Sequence, residues 1–324
     1  MKITQFLKFE PILKEKIWGG EKLMQLLAKK SNKNNIGESW EISDVDNDTS
    51  IVANGSLKGT DLKTLISQFK GEIVGEKNYS VFGEKFPLLI KFIDAKEALS
   101  IQLHPNDTLA KKRHNSFGKT EMWYVVQADK NANLIVGFKK ESNKQEYLKH
   151  LENKTLLEIL NVEEVSEGDV YYISTGRAHA IGAGVLLAEI QQTSDITYRI
   201  YDWDRTDSDG KKRDLHTEEA LNAIDYSAEK SYKTTYQKEE NIASKIISCP
   251  YFTTNIVLVT KEILVNHSDK DSFVIYMCVK GAVTFIHNKN EAILNFGETI
   301  LVPASFKEFV IKPSGNSELL EIFI

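Results

Sequence analysis

The 324-residue chain is expected to be mostly β, with antiparallel strands in two sandwich or barrel units and a few short helices. Three observations lead there. Apolar and polar residues alternate with period two through most of 246–324 and in shorter runs before it, the spacing of strands with one buried face. No regular strand–helix alternation occurs, which argues against a doubly wound parallel sheet. A stretch in the middle also recurs near the end: EGDVYYISTGRAHAI at 167–181 aligns with FGETILVPASFKEFVI at 296–311. Each copy has glycine, an acid, four strand residues, a turn and more strand. Eleven residues separate Gly168 from His179 and Gly297 from Glu308, so the first copy places histidine where the second places glutamate.

In chain order, residues 1–20 look extended and end in the turn WGG. EKLMQLLAKK (21–30) has apolar residues at helical spacing. GESWEISDVDNDTSIVANGSLKG (37–59) alternates and is broken by NG and KG, as strands and turns. TDLKTLISQF (60–69) reads as a helix capped by threonine. PLLIKFIDAKEALSIQLHP (87–105) reads as two strands around a turn at Asp94–Glu97. NDTLAKKRHNSFGK (106–119) is polar and loop-like, and EMWYVVQADKNANLIVGF (121–138) reads as a hairpin. Residues 143–166 form the strongest helical region, with a break between two short helices at Asn153 and Thr155. HTEEALNAIDY (216–226) is helical. The charged, aliphatic-poor stretch 227–245 reads as a linker and divides the chain into 1–230, with helical insertions, and 231–324.

Composition narrows the function. The net charge is −5 and the sequence pI about 5.9. No basic patch stands out, so neither nucleic acid nor a membrane surface is an expected partner. No apolar run approaches about 20 residues, and the N-terminus lacks a signal peptide's apolar centre. Cys249 and Cys278 lie in apolar, strand-like settings and read as reduced thiols of a cytoplasmic protein. Only five arginines occur among 41 basic residues, four of them between 177 and 213. Arginine's planar fork suits phosphate or carboxylate in a way lysine's does not. Arg205 and Arg213 read as surface residues; Arg199, inside an aromatic strand with Thr197 and Tyr201 on its face, reads as functional. Its partner is either an anionic substrate or one of Asp195 and Asp202.

A metal constellation follows. In SIQLHP, Gln102 and His104 are two apart and share one face of a strand. Glu121 and His179 stand at the ends of other expected strands. Two imidazoles, a carboxylate and an amide oxygen suit a borderline divalent ion such as zinc. His114, His150, His216, His267 and His287 lie in polar or charged runs and read as ordinary histidines. Trp18, beside two glycines, is a candidate wall for the pocket.

The repeated stretch resembles the second cupin motif, in which glycine turns a strand into the barrel and a histidine points inward. Gly168, Gly176 and His179 match it, with Ser174 and Ala183 in place of the usual proline and asparagine. The resemblance implies two cupin-type jelly-roll barrels, the C-terminal one without its metal histidine. SIQLHP, GKTEMWY, GRAHAIG, LLAEIQQTSDITYRIYDWDR, IWGG and GESWEIS together resemble the short bacterial form of the class I mannose-6-phosphate isomerases. That resemblance covers residues 10–205 and, more weakly, the C-terminal unit. It implies one zinc ion per chain on Gln102, His104, Glu121 and His179, with an active-site arginine at Arg199. It also implies pocket roles for Lys119 and Glu189, phosphate-side contacts from Ser100 and Lys91, and a phosphorylated hexose as substrate.

Aldose–ketose interconversion needs a base for a carbon acid, help for the oxygen proton and positive charge where an oxyanion develops. Glu189 is the candidate base, Lys119 the candidate for oxygen protons and Arg199 the anchor or stabiliser. Two other readings compete: a non-catalytic cupin sugar-binding module, and a metal cupin of another activity such as an iron dioxygenase. The absence of helix-turn-helix patterns argues against a regulator, and QxH in place of HxH points to zinc. Oligomeric state stays open.

Overall fold

The structure is a computed structural model, described for residues 3–206 and 209–324. The chain opens with β1 (Ile12–Gly20), a short α1 (Lys22–Gln25) and β2 (Ile36–Ile42). A small hairpin, β3 (Asp44–Val45) with β4 (Asp48–Thr49), leads to helices α2 (Leu62–Phe69), α3 (Gly71–Val74) and α4 (Glu76–Phe82). The cap of α2 is Asp61, which accepts from the Thr64 amide, and not the preceding threonine. Next come β5 (Leu88–Ala95), β6 (Ile101–Leu103) and α5 (Asp107–His114). The loop expected at 106–119 is therefore mostly helix. Only Ala110 of α5 is buried, so no apolar stripe announced it; Asn106 caps its start and left-handed Asn115 its end.

β7 (Glu121–Ala128) and β8 (Asn133–Phe138) are strands as expected, but they do not pair with each other. β7 bonds to β10 (Val170–Ile173) and β12 (Val185–Gln192), while β8 bonds to β9 (Leu160–Glu164) and β11 (His179–Ile181). Period-two alternation identifies a strand but not its partner. Between β8 and β9 lies α6 (Lys144–Glu152), capped by Asn143, and the second helix expected there is one 3-10 turn followed by β9. β13 (Tyr198–Tyr201) and α7 (Thr217–Leu221) complete the first half.

The second half is all strand: β14 (Ala243–Ser248), β15 (Thr253–Val259), β16 (Ile263–Asn266), β17 (Val274–Lys280) and β18 (Ala282–His287). It ends with β19 (Asn290–Asn295), β20 (Thr299–Val302), β21 (Glu308–Pro313) and β22 (Ser317–Phe323). The expected linker is an ordered strap. The Tyr232 hydroxyl donates to the Phe138 carbonyl at 3.0 Å and the Tyr236 hydroxyl to the Gly168 carbonyl at 2.7 Å, fastening it to the first half.

Each half stacks two antiparallel sheets. The first has the order β1-β2-β5-β12-β7-β10 against β13-β6-β11-β8-β9; the second has β14-β15-β22-β17-β20 against β16-β21-β18-β19. Among the described residues the pairings leave these sheets open, so the halves are jelly-roll sandwiches and not closed barrels. The strand β12 shows why its sequence, VLLAEIQQ, does not alternate. Leu186, Ala188 and Ile190 pack into the large core that reaches into the second half, while Val185 and Leu187 pack against the first half's own inner sheet. A strand covered on both faces reads as a continuous apolar run. Glu189 interrupts the run, ahead of the buried Gln191 and Gln192 that end it, and it lies on the inner face with Val185 and Leu187.

The internal repeat is real in structure but shifted by one residue. Gly168 and Gly297 both take left-handed backbone, with φ of 86° and 79°, and each turns the chain into β10 or β20. Glu308, expected at the place of His179, is exposed and bonds Asn266; the inward residue is Phe309, 2% exposed.

Candidate active site

Two rows of side chains face each other across a cleft of about 290 Å³. On the six-stranded sheet, Glu189 lies opposite Lys91 of β5 and Trp123 of β7. On the five-stranded sheet, Gln102 of β6 lies opposite His179 of β11 and Arg199 of β13. The alternation that sends Gln102 into the cleft sends Ile101 and Leu103 into a separate apolar cluster behind it. His104 follows two residues later, and its carbonyl accepts from the Gly176 amide at 2.8 Å. Gly176 is required there: its φ is +81°, and a Cβ would meet the Ala223 carbonyl oxygen at 2.4 Å. Gly37 is required for a different reason, since its Cβ would meet the Trp18 ring at 2.5 Å. Trp18 lines the cleft.

The ligand-type atoms of His104, Glu121 and His179 lie within 4.8 Å of one another, and all three residues are buried. His104 Nδ1 is 2.8 Å from the Ile196 carbonyl and His179 Nδ1 is 2.8 Å from the Arg177 carbonyl. A carbonyl only accepts, so each Nδ1 carries the proton and each Nε2 turns a lone pair inward. Among the described residues, His179 Nε2 and Glu121 Oε1 are buried without a hydrogen-bond partner. Burial, then the Lys119 ammonium, push His104 down to about 4. Its imidazole is therefore neutral at neutral pH, the ligating form. Burial also pushes His179 down. Burial raises Glu121, but the Lys119 ammonium outweighs it and holds the carboxyl well below its usual range. Buried unpaired acceptors are costly, and a divalent cation satisfies such a set, so the residues fit a metal ion. Lys119 Nζ lies 2.6 Å from Glu121 Oε2 and 3.0 Å from His104 Nε2, so an ammonium and a metal ion compete for the same atoms. Gln102 stands beside the group, its Oε1 3.2 Å from the Ser100 hydroxyl.

One end of the lining is an ionic chain. Glu189 Oε1 is 3.1 Å from Lys91 Nζ, and its Oε2 accepts from Trp123 Nε1 at 2.9 Å. Lys91 is 3.9 Å from Glu38, which accepts from Trp40 Nε1 at 2.6 Å and pairs with Lys16 at 3.0 Å. Burial raises Glu38, but Lys91 and Lys16 outweigh it and hold it at about 2. Burial lowers Lys91, but Glu189 and Glu38 outweigh it and hold it above the usual lysine range. Lys91 therefore sits between two carboxylates.

At the other end, Arg199 Nε donates to the Ser100 hydroxyl at 3.3 Å and Nη1 to the Asp214 carbonyl at 3.0 Å. Neither Asp195 nor Asp202 pairs with it; Asp202 binds Arg205 and Arg213. A bulge between Arg199 and Tyr201 breaks the expected shared face, and Tyr201 packs against Trp203. Lys16, Glu38, Asp195 and Arg213 also line the cleft. Glu38 sits inside GESWEIS and Arg213 inside the arginine cluster; no local spacing told either apart from a surface charge.

The sandwiches and the buried histidine–glutamate–histidine group define the class: a cupin-type β protein with a metal-fitting site inside its first half. Residues 6–138 match the family profile "Phosphomannose isomerase type I, catalytic domain", and residues 241–323 match "Mannose-6-phosphate isomerase, cupin domain". The chain is 32% identical to mannose-6-phosphate isomerase ManA of Bacillus subtilis over 95% of its own length and 96% of the relative's. It is 31% identical to the mannose-6-phosphate isomerase of Streptococcus mutans, covering 91% of each. The crystal structure of a Bacillus subtilis mannose 6-phosphate isomerase superposes with a TM-score of 0.89 at 32% identity, covering 99% of this chain and 100% of that one. The chain belongs to the type I mannose-6-phosphate isomerase family.

Proposed function

We propose that the protein is a zinc-dependent aldose–ketose isomerase that interconverts mannose 6-phosphate and fructose 6-phosphate through an enediol. The observation that carries this is the pair of facing rows: a buried carboxylate held by Lys91 and Trp123 stands across one cleft from a metal-fitting group and an arginine–serine pair. His104, Glu121, His179 and Gln102 would hold one zinc ion per chain. When bound, that ion supplies Lewis-acid polarisation of substrate oxygens. Glu189 takes the proton from C2 of the aldose and returns it at C1, while O1 gains a proton and O2 loses one. Lys91 and Trp123 fix both oxygens of that base. Lys119 serves the oxygen protons, Arg199 and Ser100 take the phosphate, and Trp18 excludes water from the sugar face. Lys91, a phosphate contact by what the resemblance implies, fits a positioning role better because of its two carboxylate neighbours.

With this reading goes a division near residue 230, the catalytic unit being 1–230 and the metal-free cupin-like unit 231–324, in a cytoplasmic enzyme. The free thiols of Cys249 and Cys278 support a reducing compartment. A coupled assay converting mannose 6-phosphate to fructose 6-phosphate tests the proposal. Chelation should abolish the activity and added zinc restore it; full turnover by metal-free protein would refute the metal's part.

A further inference from the structure

The arginine–serine end of the cleft holds a second guanidinium. Arg213 lines the cleft with Arg199. After burial, the like charge of Arg213 is the next influence pushing Arg199 down from its ordinary value, so the two groups feel each other. Arg199 has a hydroxyl and a carbonyl as side-chain partners and no carboxylate among the described residues. Asp202, 6% exposed, is shared: it accepts from Arg213 Nε at 2.7 Å and Nη2 at 2.5 Å, and from Arg205 Nη2 at 2.8 Å. Asp202 thus serves two arginines, with Glu97 also 3.8 Å from Arg205, while Arg199 has no carboxylate partner among the described residues. Like charges gathered in a cleft cost energy unless an anion meets them there.

The arrangement is held in place. Trp203 and Asp204 both take left-handed backbone, with φ of 57° and 55°. This reversal is pinned where Trp203 Nε1 donates to the Leu99 carbonyl at 2.7 Å and Arg205 Nη1 to the Ala98 carbonyl at 2.6 Å. It sets Asp202, which holds the Nε–Nη2 edge of Arg213 and so leaves other guanidinium donors for a ligand. Downstream, the His216 amide donates to the Arg199 carbonyl at 2.8 Å and the Arg199 amide to His216 Nδ1 at 3.1 Å, tying the Arg213 segment to β13.

We propose that Arg213 is a substrate-binding and specificity-determining residue that takes the phosphate of the sugar phosphate together with Arg199 and Ser100. This rests on the isomerase reading above. Its test uses the full-length, metal-loaded protein and the variants Arg213→Met and Arg213→Lys. In Arg213→Met, KM for mannose 6-phosphate should rise roughly ten- to a hundredfold with kcat within about threefold, the scale of one lost charge-assisted hydrogen bond. Inhibition by inorganic phosphate should weaken in the same proportion, and Arg213→Lys should fall between. Asp202 keeps Arg205, so removal of Arg213 does not strand a buried carboxylate. Should Arg213→Met still fail to fold, the lysine variant and the Kd for inorganic phosphate decide. Unchanged KM, or a raised KM with unchanged phosphate inhibition, overturns the proposal. A wild-type protein that does not isomerise mannose 6-phosphate sinks the isomerase reading instead, and the phosphate Kd of the variants still judges Arg213.

Discussion

The two halves put the same strand frame to different uses. In the first, the central strand carries Glu189 between Lys91 and Trp123. In the second, the central strand carries Glu321 between Asn255 and Tyr276 at the corresponding register. Both carboxylates are buried, and in both the neighbouring aromatic donates to them: Trp123 at 2.9 Å and the Tyr276 hydroxyl at 2.8 Å. On the opposing sheets, Gln102 faces His179 and Val265 faces Phe309. Two residues past Gln102 stands His104; two past Val265 stands His267. The ring pairs match as well, His104–His179 at 4.8 Å and His267–Phe309 at 5.2 Å between centroids. Along the strand, Glu121 precedes Trp123 by two and Val274 precedes Tyr276 by two. The second half thus keeps one histidine and one carboxylate of the set and has apolar residues at the other places. It then closes on itself, with His267 Nε2 3.0 Å and Lys270 Nζ 3.3 Å from Glu321 Oε1, and Asn255 donating to Oε2 at 2.6 Å. A polar row makes a site only where the facing row leaves its lone pairs unspent.

The largest expected contrast is between the histidines. His179→Ala should lose the metal and at least about a thousandfold in kcat/KM, since it removes a ligand from the charge-stabilising centre. His267→Ala should keep both and lose stability instead. Elemental analysis beside turnover separates the two; a metal-free His267→Ala protein, or tight binding of two equivalents by the wild type, would break the comparison.

Next come the carboxylates. Glu189→Gln should lower kcat by roughly a hundred- to ten-thousandfold, the range for a general base. Glu321→Gln should leave turnover per folded molecule intact and cost about 3–5 kcal/mol, as loss of one partner of a buried ion pair does. Its pH dependence has a defined sign. Burial raises Glu321, but the His267 hydrogen bond and the Lys270 charge outweigh it and bring it from 4.5 to about 2. A depressed carboxyl stabilises above its unfolded value, and that contribution disappears as pH falls from 4.5 toward 2. Glu38, also at about 2, adds to the same limb. Denaturation midpoints across this range should be flatter for Glu321→Gln than for the wild type; parallel curves would show that Glu321 is not the titrating support.

The site was more legible than the topology, for physical reasons. Gln102 and His104 stand two apart on a strand, where period two already says that they share a face, and the rest of the set was legible through the motifs that resemble the isomerase family. Ser100, Lys119 and Glu189 were given by that resemblance alone, since no spacing around them marks a role. What failed needed long-range information. β7 and β8 look like a hairpin because nothing local says that Asp129–Ala132 carries the chain between sheets. α5 has one buried residue and so no periodic signal. Glu308 was misplaced because the glycine-to-strand count assumes equal turns, and register is set by partners. His267 sits among charges in sequence yet is 3% exposed, since Glu321 reaches it from 54 residues away. Arg213 reads from the sequence as a surface residue because a tether to Asp202, and not its neighbours in sequence, brings it to the cleft.

The smallest expected effect concerns Tyr276. Its hydroxyl donates to Glu321 Oε1, but that carboxylate also has His267, Lys270 and Asn255. Tyr276→Phe therefore removes one hydrogen bond without leaving the acceptor bare. The ring stays in place, 5.1 Å from Phe285 and 6.4 Å from His267. The cost should be about 1 kcal/mol, the net worth of a single hydrogen bond whose acceptor keeps other partners. Metal content and kcat/KM should not move, because Tyr276 belongs to the half that carries no ligand set. Urea denaturation at neutral pH measures the first and a steady-state assay the second. A loss near that of Glu321→Gln would mean that the network is cooperative and the hydroxyl is its keystone. A change in kcat/KM at full folding would mean that the shared core couples this network to the cleft, and that the two halves are not the independent experiments the comparison makes them.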